Sequence, residues 1–468
     1  MRGLFAFARF VKMKKEKIAS HFPNPDYPTG SGRNCAIADF KKGRCPEAEP
    51  VLAGRLLEWR QNPKGRILAK LTDATGVVEV VLPEDRFSLN GLSPPAVNVG
   101  DIVEIQFEKR GGEFQPQTVR RLVPFRFEKG RSDKNRPNWK KAVFSPEQRR
   151  LFQKRSHLIQ KIRRFFLDRG FLEVDAPTLV SAPGPEPHLE PFRTSYRTER
   201  KTLYLQTSPE FTLKKWLTAG FEKIFYLGHS FRNEPRSRWH QPEFLMLEWY
   251  RAYADYTALM RDCEALLRFL AEEAQGTQTV EFAGRLLNWG SRFERISVAD
   301  ALKRSAGIDL ASVSNVKNFV ETARQKGYRG VDASWNWDDI FFEIFLNEIE
   351  PKLGYPVPTF LTEYPVSMGA LAHRIEERPE FVERFELYAA GIELANAFTE
   401  LNDPEEQRER FQESRAVRRK MGKRPFAVDT EFLDALKMGM PPAAGIALGV
   451  DRLLMILLNQ NTLSDIQF

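Results

Sequence analysis

The chain has 468 residues, 42% of them hydrophobic and 28% charged, and a formal net charge of +9. That length is too great for one ordinary core, so two or more domains are expected. No apolar run approaches the roughly 18 uninterrupted residues that a spanning helix needs, which excludes a helical membrane protein.

The positive balance suits a polyanionic partner such as RNA, a nucleotide or an acidic protein, and serves solubility equally well. Cys35, Cys45 and Cys263 are too few and too scattered for a disulfide frame or a zinc site, and fit a reducing cytoplasm. Residues 1–11 are apolar but interrupted by Arg9 and lack a small-residue cleavage site, so export is not expected, and Met13 is an alternative start. Residues 1–48 carry Pro, Gly and Lys without periodicity and read as a loosely ordered lead-in. Residues 49–127 read as a domain of five short alternating strands, at 51–57, 66–71, 77–82, 101–107 and 114–123, forming a small closed barrel. A basic linker follows over 128–142, with Lys129, Arg131, Lys134, Arg136 and Lys140.

The second domain, 143–468, opens with a helix in which Leu151, Leu158, Ile162, Phe165 and Phe166 recur at helical spacing until Gly170. A strand over 171–180, broken by Pro177, comes next, then helices over 258–274 and 338–349. A glycine-rich turn at 445–452 leads into an apolar helix over 453–458.

Three clusters carry chemistry. Around residues 231–250 the apolar residues alternate on the way in (Ile224, Tyr226, Gly228) and on the way out (Phe244, Met246), which marks two strands joined by a charged loop. Arg232 can clamp a phosphate, Phe244 can stack on a base and Glu248 can hold a cation; the competing reading is a salt-bridged surface hairpin. In the second cluster Glu386, Glu393 and Glu400 stand seven residues apart. Thr399 and the alternation Leu394, Asn396, Phe398 favour a strand near Glu393, where carboxylates facing a pocket need a metal or an ammonium. The third cluster is the glycine-rich segment ending in Arg452 at a helix start, suited to close approach by a polyphosphate. Phosphate clamps at both ends with carboxylates between them outweigh the surface reading.

Residues 172–177, 231–250 and 445–452 resemble the three signature motifs of class II aminoacyl-tRNA synthetases. The lysine-specific branch is matched by Phe231-Arg232-Asn233-Glu234, by His240-Gln241-Pro242-Glu243-Phe244, by Asn396 through Asp403 and by Gly449-Val450-Asp451-Arg452. The resemblance runs from about residue 51 to the C-terminus. It implies an α+β protein: a class II catalytic domain, an antiparallel β-sheet flanked by helices, preceded by an OB-fold domain of the nucleic-acid-binding kind. It further implies a cytoplasmic ligase that uses ATP and Mg²⁺ to form an adenylate, working as a homodimer with Pro177 at the interface. Arg232 and Arg452 would be catalytic. ATP would be held by Arg232, Glu234, His240, Gln241, Phe244 and Arg452, and Mg²⁺ by Glu386 and Glu393. Glu210, Ser208, Glu248, Tyr250, Asn396, Phe398, Glu400 and Ala447 would form the pocket for lysine or a lysine-like diamino acid.

A paralogue within this branch attaches lysine or (R)-β-lysine to a lysine of elongation factor P, and the chain resembles it in the pocket. Ser208 stands where the tRNA enzymes usually have alanine, and Ala447 where they usually have glycine. The barrel is the departure, because that paralogue typically lacks one. Yet Leu68 replaces the aromatic expected to stack on an anticodon base, and Glu79 replaces a base-reading glutamine, while Arg60 remains. Transfer to elongation factor P is therefore the main expectation, with charging of tRNA(Lys) as the alternative and a non-catalytic RNA-binding paralogue third.

Overall fold

The computed structural model describes residues 31–45, 49–61, 66–82, 97–125, 138–184, 186–196, 198, 201–328, 330–332, 334–369 and 371–467. Most of the expected lead-in, and Lys129, Arg131, Lys134 and Arg136 of the expected linker, lie outside that set. The described residues fall into two compact units, one ending at Arg150 and the other being Leu151–Gln467. No helix among them is long and apolar enough to cross a membrane.

In the first unit β1 (Val51–Gln61), β2 (Ile67–Thr72), β3 (Val77–Leu82), β4 (Ile102–Arg110) and β5 (Glu113–Val123) form an antiparallel sheet in the order β3-β2-β1-β4-β5. Period-two alternation turns Val103, Ile105 and Phe107 of β4 inward against Leu52, Leu56 and Leu71. The expected closed barrel is only partly closed, since β3 and β5 are the two edges of the hydrogen-bonded order, as in an OB-like sheet. On the outer face Arg60 lies opposite Leu68 and Leu68 opposite Val81, next to the row Glu58, Lys70, Glu79. Arg60 pairs with Glu58 at 2.9 Å and Lys70 with Glu79 at 3.6 Å. Cys35 and Cys45 are joined by a disulfide across a separation of 10, a local bridge where the sparse cysteines suggested none, and Cys263 is free and buried.

The second unit holds β6 (Leu172–Glu173), β7 (Leu179–Val180), β8 (Arg193–Tyr196), β9 (Lys201–Leu205), β10 (Lys223–Phe231), β11 (Glu243–Ala252), β12 (Thr279–Phe282), β13 (Arg285–Asn288), β14 (Glu294–Ser297), β15 (Thr359–Pro365), β16 (Arg374–Ile375), β17 (Arg378–Ala389), β18 (Ile392–Thr399) and β19 (Ala443–Gly449). Its main sheet runs β14-β15-β17-β18-β19-β11-β10-β6, with β16 attached to β17. Only the β14–β15 and β6–β10 pairs are parallel. The charged hairpin is β10 and β11, paired residue for residue from Lys223–Arg251 to Phe231–Glu243. The segment expected as one strand over 171–180 is reduced to β6 and β7, on either side of Pro177. Residues 445–449, expected as a turn, are the end of β19, a central strand bonded to β11 on one side and β18 on the other. Its small residues answer to what lies over the strand, described below.

One face of this sheet is the core. Phe225, Leu247, Trp249, Ala397, Ile446 and Leu448 point into it and meet the helices Pro146–Leu167, Tyr256–Gln275 and Val450–Leu457. Phe166, at the helical spacing seen in the sequence, stacks on Phe225 at 5.1 Å and leans on Trp249 at 5.1 Å. By the same alternation Glu248, Tyr250, Asn396, Phe398, Gly445 and Ala447 face the other way, into a cavity.

Asp451 fixes the cavity's floor to its upper end. This carboxylate is 2% exposed; it accepts from Arg155 Nη2 at 2.7 Å and from the Leu245 N–H at 2.9 Å. The helix start that bears Arg452 is thereby locked to the first residues of β11. Asp451→Ala should cost about 1–3 kcal/mol in urea unfolding, because it leaves the buried Leu245 amide and the partly buried Arg155 guanidinium without this partner. Asp451→Asn should cost less. Equal stability of all three proteins would refute this role.

Candidate active site

The cavity measures about 770 Å³, within the usual range for small-molecule sites. Its floor follows from strand register. Glu248 lies opposite Ala447, Ala447 opposite Asn396, and Asn396 opposite Glu386. Two residues along, Tyr250, Gly445, Phe398 and Arg384 form a second row. With strands about 4.8 Å apart, these rows bring four distant segments into one wall.

At the upper end stand the residues of the loop and the helix start. Arg232 lies with its guanidinium 5.3 Å from the Phe244 ring centre. Arg452 donates to the Glu393 carbonyl at 2.8 Å and the Trp239 carbonyl at 3.2 Å, and approaches the Glu393 carboxylate at 3.4 Å. Its Nη2 lies 2.8 Å from His240 Nε2. Burial and the positive charge of Arg452 hold His240 below its ordinary value, so the ring accepts that hydrogen bond as a neutral imidazole. Gln241 donates to Ser464 Oγ at 3.1 Å. Glu234 lines the same end.

At the lower end the cavity is acidic. Glu248 is wholly buried; Ser208 Oγ donates to its Oε1 at 2.6 Å and Tyr250 OH to its Oε2 at 3.2 Å. Burial pushes its carboxyl up to about 8 even so. Lys214, on the helix Glu210–Thr218, is also wholly buried, its ammonium between Glu210 and Glu400 and 2.5 Å from the latter. Burial alone would favour the neutral amine, but the two carboxylates prevail and raise the Lys214 pKa. Glu400 is pushed up to about 8 by burial, an effect that Lys214 only partly offsets. Glu400 does not line the cavity, unlike the other expected pocket residues; it stands behind Gly445, close to Tyr250. A methyl group at Gly445 would overlap both the Tyr250 ring and Glu400 Oε1. That crowding explains why β19 is built of alanine and glycine.

Between the two ends, Glu386 accepts from Arg384 Nη2 at 2.6 Å and Tyr388 OH at 2.6 Å. Glu350 joins Glu386 and Glu393; burial and these two neighbours push its carboxyl up to about 7. The donors are oxygens only, the kind Mg²⁺ takes, although no three acidic groups among the described residues converge closely enough to cage a metal unaided. That fits a cation which keeps water and shares substrate phosphates as its other ligands.

Several side chains here escaped the sequence reading. Lys214 follows Glu210 by one helical turn, and Arg384 shares a strand face with Glu386, so both could have been found by periodicity. Glu186 sits in an irregular segment, and Glu350 opens the short 3-10 helix Glu350–Lys352; neither carries such a signal.

An antiparallel sheet with an acidic cleft, flanked by arginines, on its open face is the architecture of a class II synthetase. The family described as tRNA synthetases class II (D, K and N) matches residues 135–468. The lysine–tRNA ligase of Pelotomaculum thermopropionicum is 35% identical over 437 residues, covering 89% of this chain and 84% of that protein. Those of Magnetococcus marinus and Rhizobium etli are each 33% identical, covering 95% and 98% of this chain and 93% and 94% of theirs. The chain therefore belongs to the class II tRNA synthetase family and is a ligase whose relatives support ATP-dependent aminoacyl-adenylate formation.

The raised carboxyls make stability depend on pH. Unfolded, Glu248 and Glu400 titrate near the ordinary value of about 4.3; folded, they titrate at about 8. Between these values the folded state binds more protons, so a contribution present below about pH 4 is lost as pH rises through 8. The unfolding free energy of the ligand-free protein should fall between about pH 5 and 8, and Glu248→Gln should flatten that fall. An unchanged slope in the variant would show that Glu248 does not carry it.

Proposed function

We propose that the protein activates lysine or (R)-β-lysine with ATP and transfers the aminoacyl group to a lysine side chain of elongation factor P. The observation that carries this reading is the pocket's lower end. The Ala447 methyl stands in the floor between Glu248 and Asn396, and the Ser208 hydroxyl occupies Glu248 Oε1. Both groups add bulk or bonding at positions that are smaller in the tRNA-charging enzymes, and so re-aim an amino group.

In the first step the ligand's carboxylate oxygen attacks the α-phosphorus of ATP, and diphosphate leaves. Arg232 holds the α-phosphate and spreads the charge that develops there. Arg452 and the neutral His240 meet the γ-phosphate, and Phe244 stacks on the adenine while Glu234 and Gln241 lie at its edge. Glu386 and Glu393, with Glu350 alongside, would hold Mg²⁺, which supplies charge neutralisation between the phosphates. Glu210, Glu248, Tyr250 and Asn396 bind the amino groups, Phe398 walls the pocket, and Glu400 acts from behind through Lys214. In the second step an acceptor amine attacks the acyl carbon, AMP leaves, and the amine loses its proton.

Charging of tRNA(Lys) is the second reading, favoured by relatives named lysine–tRNA ligase that match nearly the whole chain. The outer face of β1–β3 weighs against it. Its cations Arg60 and Lys70 are already paired with Glu58 and Glu79, and Leu68 and Val81 offer no base-stacking ring.

Purified protein with ATP and Mg²⁺ should exchange diphosphate in the presence of lysine or (R)-β-lysine and label elongation factor P. Acylation of tRNA(Lys) at ordinary synthetase rates, with elongation factor P unmodified, would leave the second reading standing. Ser208→Ala combined with Ala447→Gly should shift the preference between the two amino acids about 10- to 200-fold toward α-lysine in kcat/KM.

A further inference from the structure

Glu186 is a carboxylate of this cavity that neither the hairpin pattern nor the family resemblance accounts for. It lines the cavity together with Glu210 and Arg232. Its Oε2 is buried and has no hydrogen-bond partner among the described residues. Such an orphaned acceptor costs about 1–3 kcal/mol unless something arrives to donate to it. Burial and the field of Glu210 hold the carboxyl above its ordinary value despite the opposing pull of Arg232 and Lys214. The incoming group is therefore a hydrogen-bond donor.

The segment that follows Glu186 is held in place. Arg418, whose side chain is 3% exposed, donates to the carbonyls of Pro187 and Leu189, each at 2.9 Å. The Asn233 N–H donates to the Glu190 carbonyl at 2.7 Å, which pins this segment beside Arg232. The side of Gly184 is also closed to any larger residue, since a Cβ there would overlap Glu186 Oε2.

Position then decides which group Glu186 meets. Arg232 receives the anionic, reacting end of the amino acid, and Glu186 lines the cavity within the fields of both Glu210 and Arg232, on the segment that the Asn233–Glu190 hydrogen bond pins beside Arg232. Glu248 lies further down β11, four residues beyond Phe244 or about 13 Å, where Ser208 and Tyr250 already frame it for the distant ammonium. We propose that Glu186 receives the amino group nearest the ligand's carboxylate, and is the residue that reads whether that group is borne on the α or the β carbon. This rests on the amino-acid-activating reading above.

The test uses the full-length protein and ATP–diphosphate exchange with lysine, (R)-β-lysine, 6-aminohexanoate (which lacks the proximal amino group) and norleucine (which lacks the distal one). Glu186→Gln keeps the shape and removes the charge. It should raise KM for lysine or (R)-β-lysine about 10- to 100-fold with little change in kcat, because a charge-assisted hydrogen bond is lost. The much weaker use of 6-aminohexanoate should be unaffected. Glu186→Asp should change the ratio of kcat/KM between lysine and (R)-β-lysine, an effect that general destabilisation would not produce. An equal penalty on 6-aminohexanoate, or an unchanged KM for every substrate, overturns the proposal while leaving the activating reading intact. Absence of exchange with either diamino acid in the unaltered protein overturns both.

Discussion

Buried negative charge has to be matched, and in this protein that requirement organises the catalytic unit. An unpartnered ion in a protein interior costs several kcal/mol, whereas the same ion beside an opposite charge is tolerated. Glu210 and Glu248 line one end of the cleft with Glu400 behind its wall, and among the described residues Lys214 is the ammonium placed between Glu210 and Glu400. Burial pushes Glu248 and Glu400 up to about 8, an effect that Lys214 only partly offsets. Glycine and alanine in β19, the burial of Tyr250 and the placement of Ser208 are the packing consequences of keeping these carboxyls dry.

The nucleotide end is organised differently. There the arginines are held largely by neutral groups: the Trp239 and Glu393 carbonyls and the uncharged His240 for Arg452, beside the Glu393 carboxylate, and the Phe244 ring for Arg232. Held this way they lose little entropy when a polyphosphate arrives, which is the advantage of a pre-organised electrostatic site. Both ends are carried by the same strand, since Phe244 and Glu248 lie on one face of β11 and Asp451 anchors its start. The site is thus a gradient along one strand, from positive to negative.

Much of this was legible in the sequence because it obeys a period. The β10–β11 hairpin announced itself by alternation into and out of a charged loop, and the five strands of the first unit did the same. The strand near Glu393 was recognisable from Thr399 and the alternation Leu394, Asn396, Phe398, whereas Glu386 stood out only by its spacing. Errors arose where composition replaced periodicity. Residues 445–449 read as a turn because glycine and alanine usually mark one, yet this strand is central and its small residues leave room for Tyr250 and Glu400. Glu400, a pocket residue by the family resemblance, follows the end of β18 at Thr399 and stands behind the wall. Glu186, in an irregular segment, and Glu350, at the start of a 3-10 helix, depend on long-range packing that no local pattern encodes. The Cys35–Cys45 bridge likewise depends on how residues 35–45 fold back.

The two high-lying carboxyls, finally, make the empty cleft a store of protons. A ligand bearing an ammonium group at the lower end would enter by exchange, with Glu248 giving up a proton to solvent as a fixed positive charge takes its place. Binding and proton release then become one event. A neutral analogue of the same shape offers nothing to exchange and leaves the protons where they are. Discrimination in this site thereby becomes a competition between two kinds of cation, the hydrogen ion and the alkylammonium, for the same buried oxygens.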